Sequence, residues 1–485
     1  MREIAGSDGR ILSREECQEL LRRAHALAEG GGETQIHVTS WWHGELRWGC
    51  NRVTLVTDRR NVGLVLARAV RNGVYGSVSL NQLDDRSLEA AVRAAEWQSR
   101  RRVLALRGWG YFPPFPHYDP FANAAIWSDA TFGATAEARA EVARRMISRA
   151  KTAGMLSAGY LEVRAATTMA FGTEFPELRT GEHAFWEQPY VRWTQAQGSM
   201  TVRNAAGTGS GWAGLSSYDW LQIERACDEL AERAVQKCIA SQDPVALEPG
   251  RYTVILEPQA VADLMDVLVR SFFRELIESQ GTASPWHLGF DEALRLWRTK
   301  LGMKVVDERV TIGHDPADPR LGIVMHPLEW PGPVTWIERG VLKSLGHGFR
   351  YAMEHLPGRH ALRTGEISYS MAGGDVSIDE MIRTTRRGLL VSRFWNVQLL
   401  DGESLLSTGY TRDGLWLIEN GQITKAVKNL RFTESPLFVL NNLEALGEAV
   451  PVFRPTRREG GYPTPAVVPA IKARDFSFTS PIDAI

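Results

Sequence analysis

The side chains best able to do chemistry in this chain are its histidines, its clustered carboxylates and one glycine-rich turn, and each chemistry demands its own spacing. Zinc hydrolases commonly set two imidazoles on one helix face with a carboxylate base between them. Eleven histidines invite that search, yet the chain has no His-Glu dipeptide, so H-E-x-x-H is absent. His347, His355 and His360 gather in LGHGFRYAMEHLPGRH. On a helix an eight-residue separation brings His347 and His355 to similar faces, whereas His360 lies beyond Pro357 and Gly358, off any such helix. Two imidazoles without a third ligand fall short of a metal site. The segment DERVTIGHDPADPRLG, Asp307 to Gly322, gathers carboxylates around His314, and with His326 these groups could do acid–base work. Its Asp-Pro steps are turn chemistry first, because Asp bonds its own backbone and Pro fixes φ.

Gly209, Gly211 and Gly214 spell G-x-G-x-x-G in GTGSGWAGLSS. A dinucleotide site needs a helix N-terminus directly after the last glycine, to aim amides at the pyrophosphate. Here the helical pattern starts near Ser217 or Asp219, so a glycine-rich turn is the better reading. There is no Gly-Lys dipeptide for a P-loop and no G-x-S-x-G elbow for a serine hydrolase. The four cysteines, Cys17, Cys50, Cys227 and Cys238, form no C-x-x-C pair, and the last two share a helical pattern as buried thiols. Trp41, Trp42 and Trp48 crowd one hairpin, and Trp109, Tyr111, Phe112 and Phe115 crowd a Pro-rich loop. That loop suits either a binding surface or a buried lid.

Charge narrows the partners. With 56 basic and 57 acidic residues among 485, the net charge is -1, which does not favour binding a polyanion through bulk electrostatics, and no nucleic-acid partner is expected. The start, MREIAGSDGRILSREECQELL, lacks the apolar core of a signal peptide. No run approaches the ~18 apolar residues of a membrane span. A soluble, cytoplasmic protein without membrane contact is expected.

These groups must be positioned by an α+β fold. Ser13 and Glu16 form a capping-box pattern that opens a helix, and three or four strand-like runs lead to a second helix near Asp85. The order recurs: a helix from ATAEARAEV, strands YLEVRAATTMAF and YVRWTQAQGSMTVRN, then the helix SYDWLQIERACDELAERAVQKCIAS. A diverged internal duplication within residues 1–240 is the expectation. Residues 241–485 carry short strands and tight turns, with hairpins at Arg339-Gly340 and Asn420-Gly421, and read as a β-rich, antiparallel second domain.

The order of segments resembles the TldD/PmbA family over nearly the whole chain. The N-terminal similarity lies in LRWGCNRVTLVTDRRNVGLVLARAVRNGVYGSVSLNQLDDRSLEAAVRAA. The C-terminal similarity lies in ERVTIGHDPADPRLG, WIERGVLKSL, GLLVSRFW and LLSTGYTRDGLWLIENGQITKAVKNLRF. The resemblance implies a two-domain protein of a peptide-processing dimer. In that family TldD-type chains hold zinc on H-E-x-x-x-H plus a later cysteine, whereas TldE/PmbA-type chains lack these ligands. The motif would fall on the helix after VILEPQA, where this chain has Asp266, Val267 and Ser271, and no cysteine follows Cys238. The resemblance therefore implies a vacated metal site, no cofactor on this chain, and zinc only on a partner.

The expected role is a non-metal subunit of a homodimer, or of a heterodimer with a zinc-bearing TldD-like chain. It would grip unfolded peptide by strand addition. Candidate substrate contacts are Arg412 and Asp413, in STGYTRDGLWLI, and Arg363, in ALRTGEIS. The alternatives are a hydrolase using His314, His326 and nearby carboxylates, and a peptide-binding scaffold with no protease partner.

Overall fold

The computed structural model describes residues 11–28, 32–71, 74–101, 126–173, 185–187, 190–272, 283–293, 296–315, 318–321, 333–347, 368–454 and 464–482. The N-terminal half runs α1 (Arg14–Ala26), β1 (Glu33–Gly49), β2 (Arg52–Arg71), β3 (Val74–Leu80), α2 (Asp85–Arg101), α3 (Asp129–Gly133), α4 (Ala136–Thr152), β4 (Leu156–Thr173), β5 (Phe185–Glu187), β6 (Val191–Arg203), β7 (Ser210–Ser217) and α5 (Trp220–Ala240). Its strands form one antiparallel sheet in the order β3-β2-β1-β4-β6-β7, with β5 beside β4. Helix, three long strands, helix occurs twice, and the two copies meet at β1 and β4, so the sheet repeats outward from its centre as a duplication requires.

Strand alternation sorts the two faces. Ile36, Val38, Trp42, Leu46 and Trp48 of β1 are buried against the helices. The residues between them, His43 and Glu45 among others, face the opposite side. The Ser13–Glu16 capping box is formed, and Asp219 caps α5. Gly209 and Gly211 of the glycine triad serve helix–strand packing, and Gly214 lies against Trp212 and Phe453. A Cβ on Gly211 would lie 2.1 Å from the Ala234 carbonyl, and one on Gly209 would lie 2.6 Å from that of Cys238. Burial pushes the Cys227 and Cys238 thiols up to about 11, as suits unreactive core cysteines.

The C-terminal half comprises β8 (Gly250–Leu256), α6 (Pro258–Arg270), β9 (His287–Asp291), β10 (Leu296–Thr299), β11 (Ile312–His314), β12 (Val334–Glu338), β13 (Val341–Leu342), β14 (Tyr369–Met371), α7 (Ile378–Arg383), β15 (Arg387–Asp401), β16 (Leu406–Glu419), β17 (Gln422–Ala426), β18 (Leu430–Glu434), α8 (Pro436–Asn441), β19 (Leu443–Pro451) and β20 (Ala466–Pro481). Eleven strands form its large sheet, in which β20, β18, β16, β15 and β8 close on one another because β8 also pairs with β20.

The sheet is mixed where the sequence suggested antiparallel pairing throughout: β8 runs parallel to β15, and β14 parallel to β20. Parallel neighbours need a long crossover, and more than a hundred residues separate β8 from β15. Both expected hairpin turns are present with left-handed residues, φ 46° and 76° at Arg339 and Gly340, and 50° and 81° at Asn420 and Gly421. The Pro-rich aromatic loop lies outside the described residues.

Helix α6 starts at Pro258, whose missing N–H costs nothing at a first helical position. Val261, Leu264, Met265 and Leu268 form an apolar stripe at helical spacing and are fully buried between β15 and β20. The α-helix ends at Arg270, with Ser271 as its C-cap.

Candidate functional site

The last turn of α6 holds the three positions singled out by sequence, and each is engaged. The Asp266 carboxylate is ion-paired with Arg454, and Arg270 lies 3.9 Å away. The Tyr369 hydroxyl sits 3.5 Å from Asp266 Oδ1, and its ring lies 5.1 Å from the Arg454 guanidinium carbon. Burial pushes the Tyr369 phenol far up, so it remains a neutral hydroxyl. Val267 packs against the main C-terminal core. Ser271 Oγ donates to the Leu268 carbonyl at 2.6 Å and accepts from the Trp286 indole at 2.9 Å. Trp286 stacks on Phe272 at 5.2 Å, and Phe272 stacks on Trp336 at 5.6 Å.

This donor set does not fit zinc. One carboxylate, committed to a guanidinium, stands beside a valine and a serine whose hydroxyl already serves a carbonyl and an indole. A catalytic zinc typically takes three protein ligands and an open water position. Among the described residues no three His, Cys, Asp or Glu side chains converge on a possible metal position.

One turn earlier, Asp263 accepts from the Phe394 backbone N–H and from Gln259 Nε2, both at 3.0 Å. Burial pushes its carboxyl up to about 7, with Asp266 adding repulsion, against the lowering effect of Gln259, Arg393 and Phe394. The folded value lies above that of the unfolded chain, so the contribution to stability is complete below the unfolded value and is lost as pH rises through 7. Asp263→Asn is expected to match the wild type near about pH 4 and to be more stable than it at about pH 8. Chemical denaturation at the two pH values checks this, and a variant keeping the wild-type slope contradicts it.

Arg412 and Asp413 do not join the α6 cluster. They lie in an irregular stretch of β16, where Asp413 has φ 56° and Gly414 φ 140°, opposite a break in the β15 register. Asp413 is only 1% exposed; its Oδ2 lies 2.7 Å from Arg393 and 3.8 Å from Arg412, and its Oδ1 accepts from Ser210 Oγ at 2.6 Å. Ser210 opens β7, so this carboxylate ties the C-terminal sheet to the N-terminal one. A cavity of about 380 Å³ at the same seam is lined by Ser210, Ser241, Asp413 and Lys428. Further ties are Lys237 with Glu257 and Ser392, the Trp416 indole with the Ala240 carbonyl at 2.9 Å, and the Arg454 N–H with Ser216 Oγ at 3.0 Å. Arg363 lies outside the described residues.

The histidine candidates separate. His314 is buried, with Nδ1 3.0 Å from the Ser368 carbonyl and 2.9 Å from its hydroxyl, and burial lowers its pKa. His347 is buried too, but it lies beyond β13 in extended chain and not on a helix. His326, His355 and His360 lie outside the described residues. Asp307 and Asp318 each accept from the backbone N–H two residues on, at 2.9 Å, and pair with the arginine there, which is turn chemistry. Arg309 holds the Asp307 carboxyl down at about 2.

Sequence reasoning missed a buried polar row across β1, β4 and β6. His43 Nε2 lies 2.9 Å from Glu162 Oε1, and Arg164 and Gln197 also contact the Glu162 carboxylate. Burial alone would raise Glu162, but His43, Arg164 and Gln197 outweigh it and hold the carboxyl below its ordinary value. The alternation in WWHGELRWG was the available signal: it sends His43 and Glu45 to the face away from Trp42 and Leu46.

Against this geometry the known proteins can be set. Residues 249–480 match the family described as PmbA/TldA metallopeptidase C-terminal domain. No curated protein matches the sequence. Among solved structures, TldE from Thermococcus kodakarensis has the same fold with a TM-score of 0.76 at 16% identity, covering 96% of this chain and 100% of its own. A proposed modulator of a DNA gyrase from Thermotoga maritima gives 0.73 at 16% identity, covering 96% and 100%. One from Bacteroides thetaiotaomicron gives 0.70 at 17% identity, covering 97% and 100%. At those identities the likeness is one of fold, and the sequence match places residues 249–480 with the C-terminal domain of the TldD/PmbA family.

Proposed function

We propose that this chain is a non-metal subunit of a TldD/PmbA-type peptide-processing assembly, working with a zinc-bearing chain of the same family. The observation that carries the reading is the last turn of α6. An ion pair with Arg454, a core valine and a serine bonded to Trp286 occupy the positions of H-E-x-x-x-H. A fixed guanidinium takes up the carboxylate there, and no side chain at these positions is left to activate water. The peptide class of substrate comes from the family's metallopeptidase description.

The test mixes purified chain with a zinc-bearing TldD-type chain and follows cleavage of an unfolded peptide. Cleavage is expected in the mixture alone, with co-elution of the two chains and loss on chelation. Failure to associate with any zinc-bearing family member would favour the scaffold reading. The hydrolase reading needs His314 to accept a proton, and a fully enclosed imidazole fixed on Ser368 argues against that role.

A further inference from the structure

On the outer face of the C-terminal sheet, β15, β16 and β18 set aromatic and cationic side chains side by side. Trp395 pairs with Tyr410 across β15 and β16, and Tyr410 pairs with Arg431 across β16 and β18. Arg412 stands two residues from Tyr410, hence on the same face. The alternate positions, Phe394, Thr411 and Phe432, are buried beneath. The outer set lines a cleft of about 480 Å³ with Asn429 and Pro481 at its rim.

Trp395 is 51% exposed. An exposed indole is a costly surface feature unless something covers it. The Arg412 guanidinium lies 4.7 Å from its ring centroid, and that of Arg431 lies 5.5 Å from the Tyr410 ring. Stacking uses the flat face of a guanidinium and leaves its N–H edge for a planar acceptor, the geometry a carboxylate meets with two parallel bonds.

Positive charge is also crowded here. Arg393 lies 5.4 Å from the Trp395 ring, and among the described residues the acid in contact with Arg393 and Arg412 is the buried Asp413. Desolvation, with Arg393 and Arg203 nearby, lowers the pKa of Arg412 against the raising effect of Asp413. A guanidinium does not shed its proton in a protein, so Arg393, Arg412 and Arg431 around one carboxylate leave a positive site that a further carboxylate would complement.

We propose that this cleft binds a carboxylate carried on a peptide. The aromatic floor and Pro481 rim suit an organic chain better than inorganic phosphate, and the volume lies within the ~300–1,000 Å³ range of ligand pockets. An acidic side chain and a C-terminal carboxylate offer the same chemistry. The choice of a peptide as carrier rests on the proposed function, whereas the cleft does not, because none of its residues belongs to the α6 cluster.

The test is fluorescence anisotropy of dye-labelled peptides with the full chain at low salt. The probes are a hexaglutamate amide, a hexa-alanine with a free carboxylate, and a hexa-alanine amide as the neutral control. Hexaglutamate amide is expected to bind at least about tenfold more tightly than the neutral control, and Arg431→Ala and Arg412→Ala each to weaken it by about tenfold. Arg412→Lys, which keeps the charge but loses the fork, is expected to weaken it less. Arg383→Ala, on the separate α7 surface, is expected to change nothing. Binding of the free-carboxylate hexa-alanine through the same arginines would assign the C-terminal carboxylate as the source. The proposal is overturned if neither carboxylate probe exceeds the neutral amide, if Arg431→Ala leaves binding unchanged, or if equimolar inorganic phosphate displaces the bound peptide. Arg431 is exposed, so that variant remains informative should Arg412→Ala fold poorly.

Discussion

Arg454→Leu is expected to destabilise the C-terminal half by about 3 kcal/mol, the lower end of the cost of stranding one member of a buried ion pair. The side chains of Asp266 and Arg454 are 18% and 13% exposed, so solvent screens the loss only in part. Without Arg454 the Asp266 carboxylate keeps Arg270 at 3.9 Å, close to the recessed Asp263. If the charge is the cause, Asp266→Leu in the Arg454→Leu background should restore most of the stability, since replacing both members by apolar groups is often neutral. A denaturant-melt double-mutant cycle measures the coupling. Additive losses would mean that Arg454 acts through packing, and the account of a guanidinium holding the vacated position would fail.

Asp413→Ala is expected to cost about 3–5 kcal/mol, because the Arg393 and Arg412 charges then lose their shared buried counterion. The expected phenotype is specific to the seam. The Asp413–Ser210 bond joins β16 to β7, so its loss should expose the connection between α5 and β8 to limited proteolysis and separate the melting of the two halves. Asp413→Asn is the cleaner comparison, since asparagine tolerates the left-handed backbone at φ 56° and keeps an oxygen for Ser210. It should retain part of the stability. Ser210→Ala, which removes one neutral hydrogen bond, should cost about 1 kcal/mol. Equal losses for Asp413→Ala and Ser210→Ala would point to the lost hydrogen bond instead of charge.

What the sequence disclosed was local. A capping box at Ser13, left-handed hairpin pairs at Arg339-Gly340 and Asn420-Gly421, and an apolar stripe from Val261 to Leu268 are each fixed by neighbours a few residues apart. The repeated helix–strands–helix order was legible for the same reason, and resemblance supplied the location proposed for a vacated motif. What stayed hidden was long-range. Nothing near Asp266 announces a partner 188 residues away. Arg412 and Asp413 read as two neighbouring candidate substrate contacts, but β16 sends one over Trp395 and buries the other against Arg393. The glycine triad read as a turn, and the helix groups that Gly209 and Gly211 pack against, at Ala234 and Cys238, lie more than twenty residues on. The parallel pairing of β8 with β15 likewise depends on a crossover that no local pattern encodes.

The most direct measurement is the zinc content of the purified chain, taken with peptide hydrolysis in the presence and absence of a chelator. The account predicts substoichiometric zinc and no chelator-sensitive cleavage by the chain alone, with cleavage appearing once a zinc-bearing family chain is added. One tightly held zinc per chain, with chelator-sensitive hydrolysis by the chain alone, would contradict it.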